Sequence, residues 1–348
     1  MSSASVPIVR IGSPADLVRA VPFLVGHVPH ESLVVVGTRP PAGRIVLTAR
    51  HDLPPAGEER GLADVFAAAF ARSAVREAYA VVFTGQPVQP GRSVRPLLPQ
   101  RPLAAALRAG LERRRIRLRD LLLVGPDRWW SYRCRVTGCC PPEGTPLGPA
   151  QPDELALATV LSGRAVLPDR AALVASVAPL TGPAAQAALA AQRQARRQWR
   201  ASLASRDPAA LRADALVRVR TAVRGQVEGH RLGEAEAAHL IVALDDPWVR
   251  DAVVAGADPA DGVALVGLLV DLTRRARPPH AGNVAATLAW AAYTVGDGAL
   301  ANVALDRAFE RPPPPRMAVL LAHALAYGLP AEQIRKANRQ TRVQLGLA

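Results

Sequence analysis

The chain has 348 residues, 49% of them hydrophobic, which suits packed globular structure and is long enough for two domains. Its formal charge is +14, which fits acidic or nucleic-acid partners; yet 42 of the 43 basic residues are arginine, which equally fits the coding bias of a GC-rich genome. Met1–Gly12 carries no secretory leader pattern and no apolar run reaches bilayer-spanning length, so the expectation is a soluble, cytoplasmic protein with no membrane partner.

Ile8–Ile11 reads as a short strand. Ser13 is placed to cap a helix that has Pro14 in its first turn and opens Ala15–Val21. Ser32–Gly37 (SLVVVG) and Arg44–Arg50 (RIVLTAR) are β-branched runs either side of a Pro/Gly loop, a hairpin pattern. Leu62–Ala74 has helical spacing with Leu62, Val65, Phe66, Ala69 and Phe70 on one side. Tyr79–Thr84 reads as a buried strand, Leu103–Ile116 as an amphipathic helix ending in arginines, and Asp120–Val124 as a further strand. A turn at Gly125-Pro126-Asp127 leads into Arg128–Cys134 as a second hairpin. Residues 1–148 are therefore expected to form an α/β domain, a mixed sheet with packed helices.

Past Gln151 the strand-like runs stop and alanine and leucine dominate, with breaks at Gly182-Pro183, Asp207-Pro208, Asp246-Pro247, Asp258-Pro259 and Pro278-Pro279. The spacing predicts an all-helical domain over residues 149–348 with about eight to ten helices. Pro141–Pro152, rich in proline and glycine, reads as the link. Within 283–328, Leu288, Ala289, Ala301, Leu305 and Ala308 have tetratricopeptide-like spacing about a break at Gly296-Asp297; an ordinary helical hairpin explains the pattern as well.

Three stretches resemble one family. Pro14–Leu17 with Val21–Gly26 and Ser32–Gly37 resembles the opening of the DUF4192 family; Trp129-Trp130-Ser131-Tyr132 and Cys139-Cys140-Pro141-Pro142-Glu143-Gly144 resemble its middle; Gly296–Ala308 resembles its C-terminal part. The resemblance implies a cytoplasmic actinobacterial protein. It supplies no catalytic residues, because the family has no established activity.

All three cysteines, Cys134, Cys139 and Cys140, lie within twelve residues of Trp129 and Trp130. Structural zinc takes four ligands, so a zinc site here needs a partner from elsewhere, and His27 and His30 are the composite candidates; buried structural thiols are the plainer alternative. Arg133 and Arg135 beside Cys134 favour its thiolate. On a strand, Trp129, Ser131 and Arg133 face one way and Trp130 and Tyr132 the other, either as core and cover or as a stacking platform. Arg50, His51, Asp52, Gln86 and Asp127 follow strand ends; if those strands are parallel they share a ligand crevice, with Arg50 holding an anion and Asp52 acting as base or metal ligand. Arg193, Arg196, Arg197 and Arg200 form one helix stripe suited to phosphates or an acidic surface, or simply a solvated face.

No P-loop, G-x-G-x-x-G, H-E-x-x-H or G-x-S-x-G pattern occurs, which argues against the chemistries those motifs carry. The leading expectation is a non-enzymatic ligand-sensing or regulatory protein that binds a protein partner through the helical domain. The alternatives are an enzyme using Arg50, Asp52 and the cysteine loop, and nucleic-acid binding through the arginine helix.

Overall fold

The computed structural model describes residues 12–40, 43–89, 91, 96–134, 136, 138–148, 166–256 and 261–347. The expected strand at Ile8–Ile11 and most of the expected link lie outside the described residues. The chain divides into two compact units: residues 1–170 with Ala326–Pro330, and residues 171–325 with 331–348.

The first unit begins with α1 (Pro14–Val25). Ser13 Oγ accepts from the Asp16 amide at 3.1 Å, the helix runs through Pro22, and Gly26 at φ 78° ends it. A six-stranded sheet follows in the order β2-β1-β3-β4-β5-β6. Its strands are β1 (Ser32–Arg39), β2 (Arg44–Asp52), β3 (Glu77–Phe83), β4 (Arg117–Val124), β5 (Arg128–Ser131) and β6 (Thr145–Pro146). β3 and β4 are parallel and every other pair is antiparallel, so the sheet is mixed. The expected hairpins β1–β2 and β4–β5 both form. The Pro141–Pro152 segment is not wholly a link, because β6 within it pairs with β5.

Two helices connect successive strands, α2 (Glu59–Arg72) from β2 to β3 and α3 (Arg101–Arg113) from β3 to β4. Strand alternation then separates two cores. Leu33, Val35, Ala80, Val82, Leu121 and Leu123 face α2 and α3, whereas Val34, Val36, Val81, Phe83, Leu122 and Val124 face α1. Covered on both faces, β1 reads as a continuous apolar run. One expected core residue is corrected: Val65 is 63% exposed, and Ala63 and Ala67 join Leu62, Phe66 and Phe70 on the buried side of α2.

Ten helices follow among the described residues: α4 (Arg170–Ser176), α5 (Gly182–Ser205), α6 (Pro208–Val227), α7 (Glu234–Ala243), α8 (Pro247–Gly256), α9 (Gly262–Arg275), α10 (Ala281–Thr294), α11 (Gly298–Phe309), α12 (Arg316–Ala326) and α13 (Ala331–Gln344). α10 and α11 pack together through small side chains, with Ala285, Ala289, Ala292, Ala301 and Ala304 fully buried beside Leu288 and Leu305. Asp297 caps α11 by accepting from the Leu300 amide at 3.0 Å, and Gly296 turns the chain at φ 85°. No described helix is long and apolar enough to cross a membrane.

Two glycines make a contrasting test of this packing. A Cβ on Gly37 in β1 would lie 2.6 Å from Val75 Cγ2 and 2.9 Å from the Phe70 ring, inside the core under α2. Gly61 in α2 is exposed and a Cβ there meets nothing within 4 Å. Gly37→Ala should destabilise the protein by about 1–3 kcal/mol through overpacking. Gly61→Ala should stabilise it by roughly 0.5–1 kcal/mol through helix propensity. Urea unfolding of both variants measures the two signs.

Candidate functional site

On the α3 side of the sheet, β5, α3 and the loop after β5 enclose a cavity of about 280 Å³. The loop is pinned by the residues that make this stretch distinctive. Trp130 packs in the α2/α3 core and its Nε1 donates to the Pro142 carbonyl at 3.2 Å. Gly144, at φ 83°, lies against the indole so closely that a Cβ would come within 2.6 Å of Nε1. Arg128 Nη1 donates to the Gly144 carbonyl at 2.9 Å. Trp129 points the other way, 7% exposed in the α1 core, as strand alternation predicts. Tyr132 is half-buried, with its hydroxyl donating to the Pro99 carbonyl at 2.7 Å; desolvation pushes the phenol pKa up, and nearby Arg101 opposes that shift.

Among the described residues, three arginines line the cavity and no carboxylate does. Arg101 and Arg108 stand seven residues apart on α3, with Ala104 and Ala105 on the same stripe between them. Those small side chains leave space beneath the two guanidiniums. Arg133 is the third, with Nη1 donating to the Leu118 carbonyl at 2.6 Å. Asp120 on β4 has its Oδ1 occupied by the Leu121 amide at 2.8 Å and the Ser131 hydroxyl at 3.1 Å.

The three cysteines converge here. Their Sγ atoms lie within 4.8 Å of one another, and Cys139 and Cys140 Sγ are 3.8 Å apart. The amides of Cys139 and Cys140 both donate to the Val136 carbonyl, at 3.1 and 2.8 Å, which folds the loop back. Ser131 Oγ accepts from the amides of Arg133 and Cys134 and so fixes the other end. All three thiols are free. A hydrogen bond from the Val136 backbone, and then the neighbouring thiols, lower the Cys134 pKa. Arg133 is not among these causes, and Arg135 lies outside the described residues. Burial, reinforced by the other two thiols, pushes Cys140 up to about 12.

His27 and His30 do not complete the set: among the described residues the ligand cluster contains only the three thiols. His30 is exposed, and its carbonyl accepts from Arg50. His27 is 2% exposed, with Nδ1 3.1 Å from the Val25 carbonyl, and burial holds its imidazole below the ordinary range.

The strand-end residues share an edge without forming one site. β2, β3 and β4 run in one direction with β1 reversed between β2 and β3, so their carboxyl ends lie together. By register, Arg50 and Asp52 face the α1 side and His51 the opposite one. Arg50 pairs with Asp52 at 2.6 Å, Gln86 accepts from Gln100 at 3.4 Å, and Asp127 is exposed beside Arg128 at 3.8 Å. Residues missed in the sequence occupy this edge: Glu31, at φ 37°, accepts from Thr84 Oγ1 and from the Gly85 amide at 2.5 Å. Four strand spacings of about 4.8 Å put β2 roughly 19 Å from β5, so Arg50 and Asp52 do not join the cysteine loop.

In the helical unit Arg193, Arg196, Arg197 and Arg200 are all exposed on α5 and make no ion pair with a described residue. The opposite side packs on α7, with Ala191, Ala195 and Trp199 against Ala238 and Val242. The spacing gave no hint of Gln192, which is buried and bonds the Arg275 carbonyl and the Arg277 amide, both at 2.9 Å. His280 was also missed; its Nδ1 lies 2.5 Å from Asp245, which Asn283 also holds at 2.8 Å.

The family described as "Domain of unknown function (DUF4192)" matches residues 14–332. The chain belongs to that family. No curated protein and no solved structure matches it. The match spans the arginine–thiol cavity of this DUF4192 chain and most of its helical unit.

Two predictions follow from the geometry. Gly144→Ala should open the loop from Trp130, seen as a red-shifted indole emission and faster proteolysis between Cys140 and Thr145. At neutral pH iodoacetamide should modify Cys134 ahead of Cys140, because a lowered pKa enlarges the thiolate fraction and a pKa near 12 abolishes it. Peptide mass spectrometry over time reads the order, and equal rates would contradict the assignment.

Proposed function

We propose that this chain is a non-enzymatic ligand-sensing protein whose first unit takes a small organic anion with a flat apolar body. The observation that carries this reading is the cavity lined by Arg101, Arg108 and Arg133 with no carboxylate among the described residues of its walls. Guanidiniums fix carboxylate or phosphate oxygens by charge-assisted hydrogen bonds, and Trp130 with Ala104 and Ala105 supplies apolar surface for the rest of the ligand. At about 280 Å³ the cavity sits near the lower end of small-molecule sites, which limits the ligand to one ring and its anionic group.

On this reading the helical unit carries the response to a protein partner, and the tetratricopeptide-like spacing within 283–328 is what supports that assignment. Three free thiols suit the reducing cytosol, so we place the protein in the cytoplasm.

Phenyl phosphate is a suitable probe, titrated calorimetrically into the full chain under reducing conditions. Saturable binding that falls about tenfold or more in Arg101→Ala/Arg108→Ala is expected, since each charge-assisted contact contributes roughly 1.5–3 kcal/mol. Binding that ignores this double substitution would defeat the proposal. Release of phenol during the titration would replace sensing with hydrolysis.

A further inference from the structure

We infer that Cys134, Cys139 and Cys140 form a three-thiolate site for a thiophilic divalent ion of the zinc–cadmium type, with its fourth coordination position open toward the arginine-lined cavity. The inference goes beyond ligand sensing and does not depend on it, because the thiols assemble without any anion.

The sulfur spacing carries the argument. A tetrahedral Zn–S distance of about 2.3 Å requires sulfurs ~3.8 Å apart along an edge. Cys139 and Cys140 Sγ stand at 3.8 Å, and Cys134 Sγ lies within 4.8 Å of both. A disulfide needs sulfurs at ~2.05 Å, so this is the separation of ligands around a shared centre rather than of a bonded pair.

The set is also held in place. The Val136 carbonyl gathers the amides of Cys139 and Cys140, and Ser131 Oγ gathers the amide of Cys134. Two independent backbone anchors thus present three thiols to one point before any ion arrives, which lowers the ordering cost of binding.

Charge completes the case. Three thiolates around a divalent ion leave a net charge of −1, which is costly beside an apolar wall. Arg101, Arg108 and Arg133 line the same cavity as Cys134 and Cys140 and offset it. Among the described residues no histidine or carboxylate supplies a fourth ligand, so that position belongs to water or to an anion from the cavity. Each thiol that ligates gives its proton to the buffer, and no electron is transferred.

The test uses Cd(II) alone with the reduced full chain, free of other metals. A thiolate-to-cadmium charge-transfer band saturating at one equivalent is expected. X-ray absorption should then count three sulfurs and one lighter atom. Cys134→Ser, Cys139→Ser and Cys140→Ser should each weaken binding by more than about tenfold, since loss of even an outer-shell partner costs 10–100-fold. Cys139 is exposed, so Cys139→Ser should keep the metal-free melting temperature and separate ligation from folding. Absence of the band, a sulfur count below three, or an affinity left unchanged by any one substitution would overturn the site. Phenyl phosphate titrated into chelator-treated chain tests the anion reading separately, so the failure of either is visible alone.

Discussion

The indole of Trp130 holds the N-terminal unit's site together. It sits on the α2/α3 side of β5, donates to the Pro142 carbonyl, and leaves room for glycine alone at position 144. An aromatic ring buried on one edge and hydrogen-bonded on the other converts a proline-rich loop into a fixed wall. Without that wall the Cys139–Cys140 turn has no defined position relative to Cys134, and the cavity under α3 has no outer side. The stretch Trp129–Gly144 is therefore one structural device: Trp129 anchors β5 to the α1 core, Trp130 fastens the loop, Ser131 ties the chain between Asp120 and Cys134, and Gly144 permits the closure.

The sheet order then decides which residues can act together. β4 and β5 form the side that carries the thiols, while β2, with Arg50 and Asp52, lies at the opposite edge. The strand-end residues do share a common edge, because reversing β1 between β2 and β3 returns β2 to the direction of β3 and β4. Sharing an edge is a weaker condition than sharing a pocket. α2 and α3 both cover the same face of the sheet, so the strand ends are not split between helices on opposite faces, the arrangement that opens a crevice in doubly wound folds. Arg50 and Asp52 answer each other's charge instead.

Much of the fold was legible because its elements are extreme. SLVVVG reads as a strand and is covered on both faces in the fold, and the alanine-rich runs after Gln151 form helices that pack closely around buried leucines. Val65 was misread because helical spacing fixes a stripe's width only loosely, and the small Ala63 and Ala67 are the residues that let α2 approach the sheet. The cysteines drew attention through rarity, but their convergence depends on a turn at Val136 that spacing does not encode. Arg101 and Arg108 were invisible for the opposite reason. In a chain with 42 arginines, an i, i+7 pair carries no signal until the alanines between them are seen to roof a cavity.

Arginine abundance therefore does not settle whether any given arginine is functional; its surroundings do. The four guanidiniums on α5 face solvent from a helix whose other side is packed, so water and salt screen them. Arg101, Arg108 and Arg133 are exposed as well, but they surround a recess with an aromatic wall and, among the described residues, no carboxylate, so their positive potentials reinforce one another there. Metal-bound thiolates would meet the same potential, so the proposed centre and the cationic pocket offset each other's charge. Placed apart, three metal-bound thiolates would carry an uncompensated negative charge and three gathered arginines would repel. Placed together, each set lowers the electrostatic cost of the other, which gives a physical reason for the loop and α3 to meet at this point in the fold.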